Sequence, residues 1–207
     1  MTRSYNELAN AGIRDVTDLT DGEIKTIASF VITNEKKNPD ARYLEVGVLA
    51  GTTIRFCKHY TKTTQFVGVD LFESYAPDPN NTHISDAFRM EDVVRKVGDR
   101  ATFIKGSSHD VLPQMDGKFD FIFIDGNHTY EATMRDFKDC IRLLTDDGQI
   151  AFHNASPHLG PDFEQYVTRD GGPWRVCQEI KRNRSWQLLQ EIDRLTVFGK
   201  VKDNYNF

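Results

Sequence analysis

Residues 119–124, Phe-Asp-Phe-Ile-Phe-Ile, form an almost unbroken apolar run that stops at Asp125-Gly126-Asn127-His128. A helical periodicity begins directly after it. A short run of this kind suits a strand buried on both faces, and such strands belong to parallel sheets covered by helices. In those sheets ligands collect outside the carboxyl ends of the strands. Asp125 and His128 therefore fall where a doubly wound fold keeps its chemistry, and the pattern points to an enzyme.

The rest of the chain repeats the alternation. Strands are expected near 42–47, 65–70, 101–105, 119–125 and 148–153, and helices near 21–34, 52–60, 84–97 and 129–145. The first helix carries Ile24, Ile27, Ala28 and Val31 on one face, with Asp21 available as its N-cap. The helix over 129–145 carries Met134, Phe137, Ile141 and Leu144 at spacings of three and four, and Asp146-Asp147-Gly148 reads as its stop. A further helix over 173–184 has Pro173 near its first turn. Segments 185–191 and 194–201 read as two strands with no helix between them, so one of them should run antiparallel. The expectation is an α/β, doubly wound, mostly parallel sheet with an antiparallel C-terminal strand. The 207 residues suit a single domain, with 1–38 as a helical lead-in whose first 20 residues are irregular.

Charge and cysteine usage remove several classes. Acids outnumber bases 31 to 26, a net charge of −5, which offers no basic face to a phosphate backbone, so nucleic acid is not an expected partner. Cys57, Cys140 and Cys177 all fall in predicted helices and fit neither a disulfide framework nor metal-site spacing. They read as reduced, buried thiols of a cytoplasmic protein. The sequence shows no basic start leading into an apolar stretch and no apolar run long enough to span a bilayer, so neither a signal peptide nor a membrane association is expected.

Two segments exceed what a compact fold needs, 73–82 and 154–172, both rich in Pro, Asp, Asn, His and Gly. Loops of this length at the site end of a sheet read as substrate lids in preference to plain flexible linkers. His83 and His158 lie in them. Trp174, at the entry of the helix after the second loop, could wall a pocket or fill the core.

The stretch 43–53, Tyr-Leu-Glu-Val-Gly-Val-Leu-Ala-Gly-Thr-Thr, reads as strand, turn and helix start. Gly47 permits a tight turn, and Gly51 permits close approach of a ligand to the helix N-terminus, although helix packing explains the same spacing. Glu45 sits in the last residues of a buried strand, where an acid is costly without a partner, and a cationic ligand would supply one. Some twenty residues on, Asp70 ends a second strand, where a ribose diol needs an acceptor; a turn or cap aspartate would occupy the same place. Ser107 and Ser108 follow the third strand and can bond an adenine edge or cap the short helix after them.

Taken in order, Glu45-x-Gly47-x-x-x-Gly51, Asp70, Gly106-Ser107-Ser108-x-Asp110-x-x-Pro113, Asp125-Gly-x-His128-x-Tyr130 and Ala151-Phe152-His153-Asn154 resemble the class I S-adenosylmethionine-dependent methyltransferases. The likeness is to their small-molecule O-methyltransferases, including catechol O-methyltransferase and the macrocin-type sugar enzymes, and it spans roughly residues 40–180. It implies a Rossmann-like fold and S-adenosylmethionine as cofactor. Glu45 and the Gly47–Gly51 turn would hold the methionine end, Asp70 the ribose hydroxyls, Phe72 or Leu71 the adenine face, and Ser108 and His109 the adenine edge. Asp125 would also border the cofactor. Asp125, His153 and Asn154 align with the family's divalent-metal ligands, and His128 falls where catechol O-methyltransferase carries its catalytic lysine. Many sugar-type relatives have an acid at His153 or Asn154, so Asp125 would be the sole carboxylate here. Such a set would suit manganese, iron or zinc about as well as magnesium, or hold no metal at all.

The function expected from this resemblance is methyl transfer to a hydroxyl of a small polar acceptor, a sugar or natural-product intermediate, with a metal assisting. Asp125 and His128 are the catalytic candidates, and His128 reads as general base because imidazole changes charge near neutral pH, though it could instead cap the next helix. The rival readings are a metal-dependent hydroxylase or hydrolase, a nucleotide-dependent oxidoreductase (disfavoured by the missing Gly-x-Gly-x-x-Gly), and a non-catalytic binding domain. A homo-oligomer is open, since residues 1–35 could pack on a second subunit.

Overall fold

The computed structural model describes residues 11–13, 17–72, 89–155 and 171–201, and the structural statements below concern those residues. The elements run α1 (Asp21–Lys37), β1 (Arg42–Val46), α2 (Thr52–Tyr60), β2 (Gln65–Asp70), α3 (Met90–Val97) and β3 (Ala101–Lys105). They continue with a short α4 (Ser108–Val111), β4 (Phe119–Ile124), α5 (Tyr130–Ile141), β5 (Leu144–Phe152), α6 (Gly172–Arg182), β6 (Trp186–Ile192) and β7 (Leu195–Lys200).

The strands form one seven-stranded sheet in the order β3-β2-β1-β4-β5-β7-β6. β1 to β5 pair in parallel, and β7 runs antiparallel to both β5 and β6. Chain order reverses between β1 and β4, so the crevice at their carboxyl ends is the switch point where ligands of such sheets bind.

Strand alternation feeds two cores. Tyr43, Phe66, Phe103, Phe121 and Phe123 meet Ile24, Ile27 and Val31 of α1, Phe56 of α2 and Val93 of α3. Leu44, Ile122, Ile124, Phe152 and Phe198 point the other way, onto Phe137 of α5 and Val176 and Ile180 of α6. Burial on both faces is why these strands read as continuous apolar runs. The three cysteines are free and buried in α2, α5 and α6.

Two expectations change. The N-cap of α1 is Thr20, not Asp21, because Thr20 and Glu23 form a reciprocal capping box. The helix over 129–145 stops at Ile141, and Leu144 instead opens β5 opposite Phe119, while Gln149 faces Phe121. The Asp146-Asp147-Gly148 segment is thus bulged out within β5; Leu144 falls on a helical spacing, which hid its place in the sheet. Of the helix expected over 84–97, residues 84–88 lie outside the described residues. The same holds for residues 73–82, most of the second long loop, His83 and His158. Among the described residues no helix is long and apolar enough to cross a membrane.

Candidate active site

The turn after β1 is fixed by backbone geometry. Gly47 has φ +88°, and a Cβ there would stand 2.1 Å from the Asp125 carbonyl oxygen. Only glycine lets the β1 turn lie against the end of β4. Val48 N and Leu49 N donate to Asp70 Oδ2 at 2.7 and 3.0 Å, and Phe72 N donates to Oδ1 at 2.8 Å. Asp70 therefore moulds the loop, and its Oδ1 keeps one lone pair for a hydroxyl. Leu49 and Phe72 adopt left-handed φ values of 52° and 47°, a conformation that bulky residues hold only where the surroundings impose it. Gly51, at φ +72°, opens α2; a Cβ would press on Val97 and Val93 of α3 at 2.8 and 3.0 Å. Its requirement for glycine comes from the left-handed turn and this packing.

Glu45 is buried between β2 and β4, and Tyr43, two residues earlier on the same face, donates its hydroxyl to Glu45 Oε2 at 2.6 Å. Burial pushes the Glu45 carboxyl well above its ordinary range, and the nearby Asp125 and Asp70 charges add to the rise. A cation bound beside it would reverse that trend. The Phe72 ring turns inward against Phe103, with ring centroids 6.1 Å apart, while Leu71 stays exposed. Ser107 caps α4 by accepting from His109 N, leaving Ser108 half-buried. The His109 ring leans on α5, with Nε2 3.6 Å from Asp136 Oδ1.

At the ends of β4 and β5 the arrangement is made of side chains. Asp125 Oδ1 lies 3.4 Å from His128 Nε2 and 3.2 Å from His153 Nδ1. The far nitrogen of His153, Nε2, faces Glu23 Oε2 of α1 at 3.4 Å. That is ion-pair distance without hydrogen-bond alignment. His153 and Glu23 are both buried. Burial alone would lower the His153 pKa, but Asp125 and Glu23 outweigh it and hold the ring up to about 9. Burial likewise pushes Asp125 up, yet the two imidazoles bring its carboxyl well below the usual carboxylate range. Asn154, at φ 52°, sets its amide nitrogen 3.3 Å from both ring nitrogens of His128 and accepts from Arg194 at 3.3 Å through Oδ1.

Sequence reasoning named Asp125, His128, His153 and Asn154, and the structure brings all four together. It did not name Glu23 or Arg194. Arg194, in the β6–β7 turn, donates its backbone N–H to Glu23 Oε1 at 2.7 Å and pairs with Asp18 at 2.8 Å. The Thr20-x-x-Glu23 spacing was the available signal for Glu23 as a capping residue; nothing in the sequence pairs it with His153.

Asp125, His153 and Asn154 do not fit a resident divalent ion. A metal needs ring nitrogens with free lone pairs. Each nitrogen of His153 faces a carboxylate, and Asn154 Oδ1 already receives Arg194. Among the described residues no group of three or more His, Cys, Asp or Glu side chains could hold a metal ion.

An uncharacterized protein of Acanthamoeba polyphaga mimivirus is 23% identical over 146 residues, which are 66% of this chain and 63% of that protein, so the likeness leaves over a third of its length unmatched. The O-methyltransferase TomG from Streptomyces achromogenes, solved with SAM, matches at 15% identity and a TM-score of 0.64, covering 96% of this chain and 91% of its own. MycE, a methyltransferase of mycinamycin biosynthesis solved with Mg and SAH, matches at 15% identity and a TM-score of 0.66, covering 97% of this chain and 55% of its own. At such identities these structures share the fold. The model of a family described as "Methyltransferase domain" matches residues 44–155, more than half of the 207, and the chain belongs to that family.

Proposed function

We propose that this chain transfers a methyl group from S-adenosylmethionine to a hydroxyl of a small polar acceptor, with His128 as general base. The observation that carries the reading is the contact between the two halves of the site. The Gly47 turn lies directly on the Asp125 backbone, so a cofactor cradled by the turn ends beside the Asp125–His128 pair. Asp70 Oδ1 has a lone pair for a ribose hydroxyl, Leu71 offers an exposed apolar side chain, and Glu45 would face the cationic methionine end. Ser108 and His109 would border the adenine.

S-adenosylmethionine, when bound, supplies an activated methyl group, so that an oxygen–carbon bond forms as the sulfur–carbon bond breaks and its electron pair returns to sulfur. The protein's task is to align the acceptor oxygen and remove its proton. The His128 side chain is 31% exposed, enough to be reached by an acceptor. If Nε2–H donates to Asp125, Nδ1 carries the lone pair that takes the hydroxyl proton, with the acceptor hydroxyl replacing the Asn154 amide that stands 3.3 Å from it. Asp125 then fixes the tautomer and stabilises the imidazolium that results.

The test is incubation with methyl-labelled S-adenosylmethionine and a panel of polyhydroxylated small molecules, with products located by mass spectrometry and NMR. Label on oxygen is expected, and a strong loss in His128→Gln. Label on nitrogen or carbon would overturn the O-transfer reading.

A further inference from the structure

We infer that Glu23 is a positioning residue of this site: with Asp125 it clamps His153 from both sides, and the ring stands where a metal-ligand set would otherwise form. Methyl transfer then runs without a resident divalent ion. The inference rests on the methyl-transfer reading above.

Glu23 is fully buried on α1, an element of the opposite end of the sequence from the catalytic strand ends. Its Oε1 accepts from Arg194 N at 2.7 Å and its Oε2 from Thr20 N at 2.7 Å, so the carboxylate is anchored at both oxygens while it faces His153. A neutral imidazole has one donor and one acceptor nitrogen. Between two carboxylates the ring carries an N–H on each nitrogen, Nδ1 within hydrogen-bond reach of Asp125 at 3.2 Å and Nε2 at ion-pair distance from Glu23, which leaves no lone pair for a metal. The ring is held edge-on by these two acids and packs against Phe123, with centroids 6.4 Å apart. Because His153 Nδ1 and His128 Nε2 share Asp125 Oδ1, fixing His153 fixes the carboxylate that orients His128. Thr20 adds a second tie by donating its hydroxyl to Asp193 at 2.6 Å, which docks the α1 start onto the β6–β7 turn.

The test is a Mn²⁺ titration followed by electron paramagnetic resonance, with S-adenosylhomocysteine present, on wild type and Glu23→Gln. Wild type should leave Mn²⁺ free at millimolar concentration. In Glu23→Gln the carboxylate charge beside His153 Nε2 is gone, so the ring can keep a single proton and free Nδ1 to ligate beside Asp125. This variant should therefore bind Mn²⁺ at least tenfold more tightly than wild type, a gain that simple loss of packing would not give. Tight Mn²⁺ binding by wild type that Asp125→Asn abolishes would overturn the inference, as would a folded Glu23→Gln that binds no better. The wild-type titration decides alone if the variant does not fold. Calorimetry with S-adenosylhomocysteine on the same samples reads the methyl-transfer proposal separately.

Discussion

At the carboxyl ends of β1 and β2 one acid, Asp70, is surrounded by backbone N–H groups; at the ends of β4 and β5 its counterpart, Asp125, is surrounded by imidazoles. Backbone donors carry no net charge, so the first arrangement sets a shape. Imidazoles bring charge and protons, so the second sets a local electrostatic balance. On the proposed reading, one half of the site holds the cofactor and the other handles the proton. The halves meet where Gly47 touches Asp125.

If this division holds, substitutions on the two sides should fail differently. The largest effect is expected from His128→Gln, which should lower turnover by about 10²–10⁴ while S-adenosylhomocysteine affinity stays near wild type. Steady-state kinetics beside calorimetry checks both. Near-normal turnover would remove the base role from His128. Asp125→Ala should cost about 1–3 kcal/mol of stability in denaturant titrations, the scale for a buried group left without its partner, because His153 Nδ1 loses its acceptor while Glu23 still faces Nε2. Asp70→Ala should instead lose about 1.5–3 kcal/mol of S-adenosylhomocysteine binding, the scale of hydrogen bonds to a charged group.

A further contrast is read through pH. His153 is held up to about 9 in the folded chain, against about 6.5 for a free imidazole. Its contribution to stability is complete below the unfolded value and is lost as pH rises through the folded one. Thermal unfolding between those limits should show wild type losing stability with rising pH, and His153→Gln losing less. Asp70→Asn should keep the wild-type slope.

Much of the fold could be read from the chain because buried parallel strands leave apolar runs and helices leave three-and-four spacing. The strands at 65–70 and 101–105 and the helix at 52–60 carry those marks without conflict. Leu144 did not, since one residue satisfied both periods. Within the site, Asp70 and Asp125 were legible as acids ending strands. What Asp70 binds was not, because its partners are the N–H groups of Val48, Leu49 and Phe72, which no side-chain pattern reports. Glu23 was hidden for another reason: its meeting with His153 spans most of the chain and depends on how α1 docks across the sheet.

The most direct test of the account is a calorimetric titration of the wild-type protein with S-adenosylhomocysteine, run beside a nicotinamide dinucleotide. Both ligands present an adenosine to the Gly47 turn and Asp70, but only the first matches the proposed methyl-donor site next to Asp125 and His128. The account predicts micromolar binding of S-adenosylhomocysteine and none of the dinucleotide. Binding of the dinucleotide with no response to S-adenosylhomocysteine would contradict it.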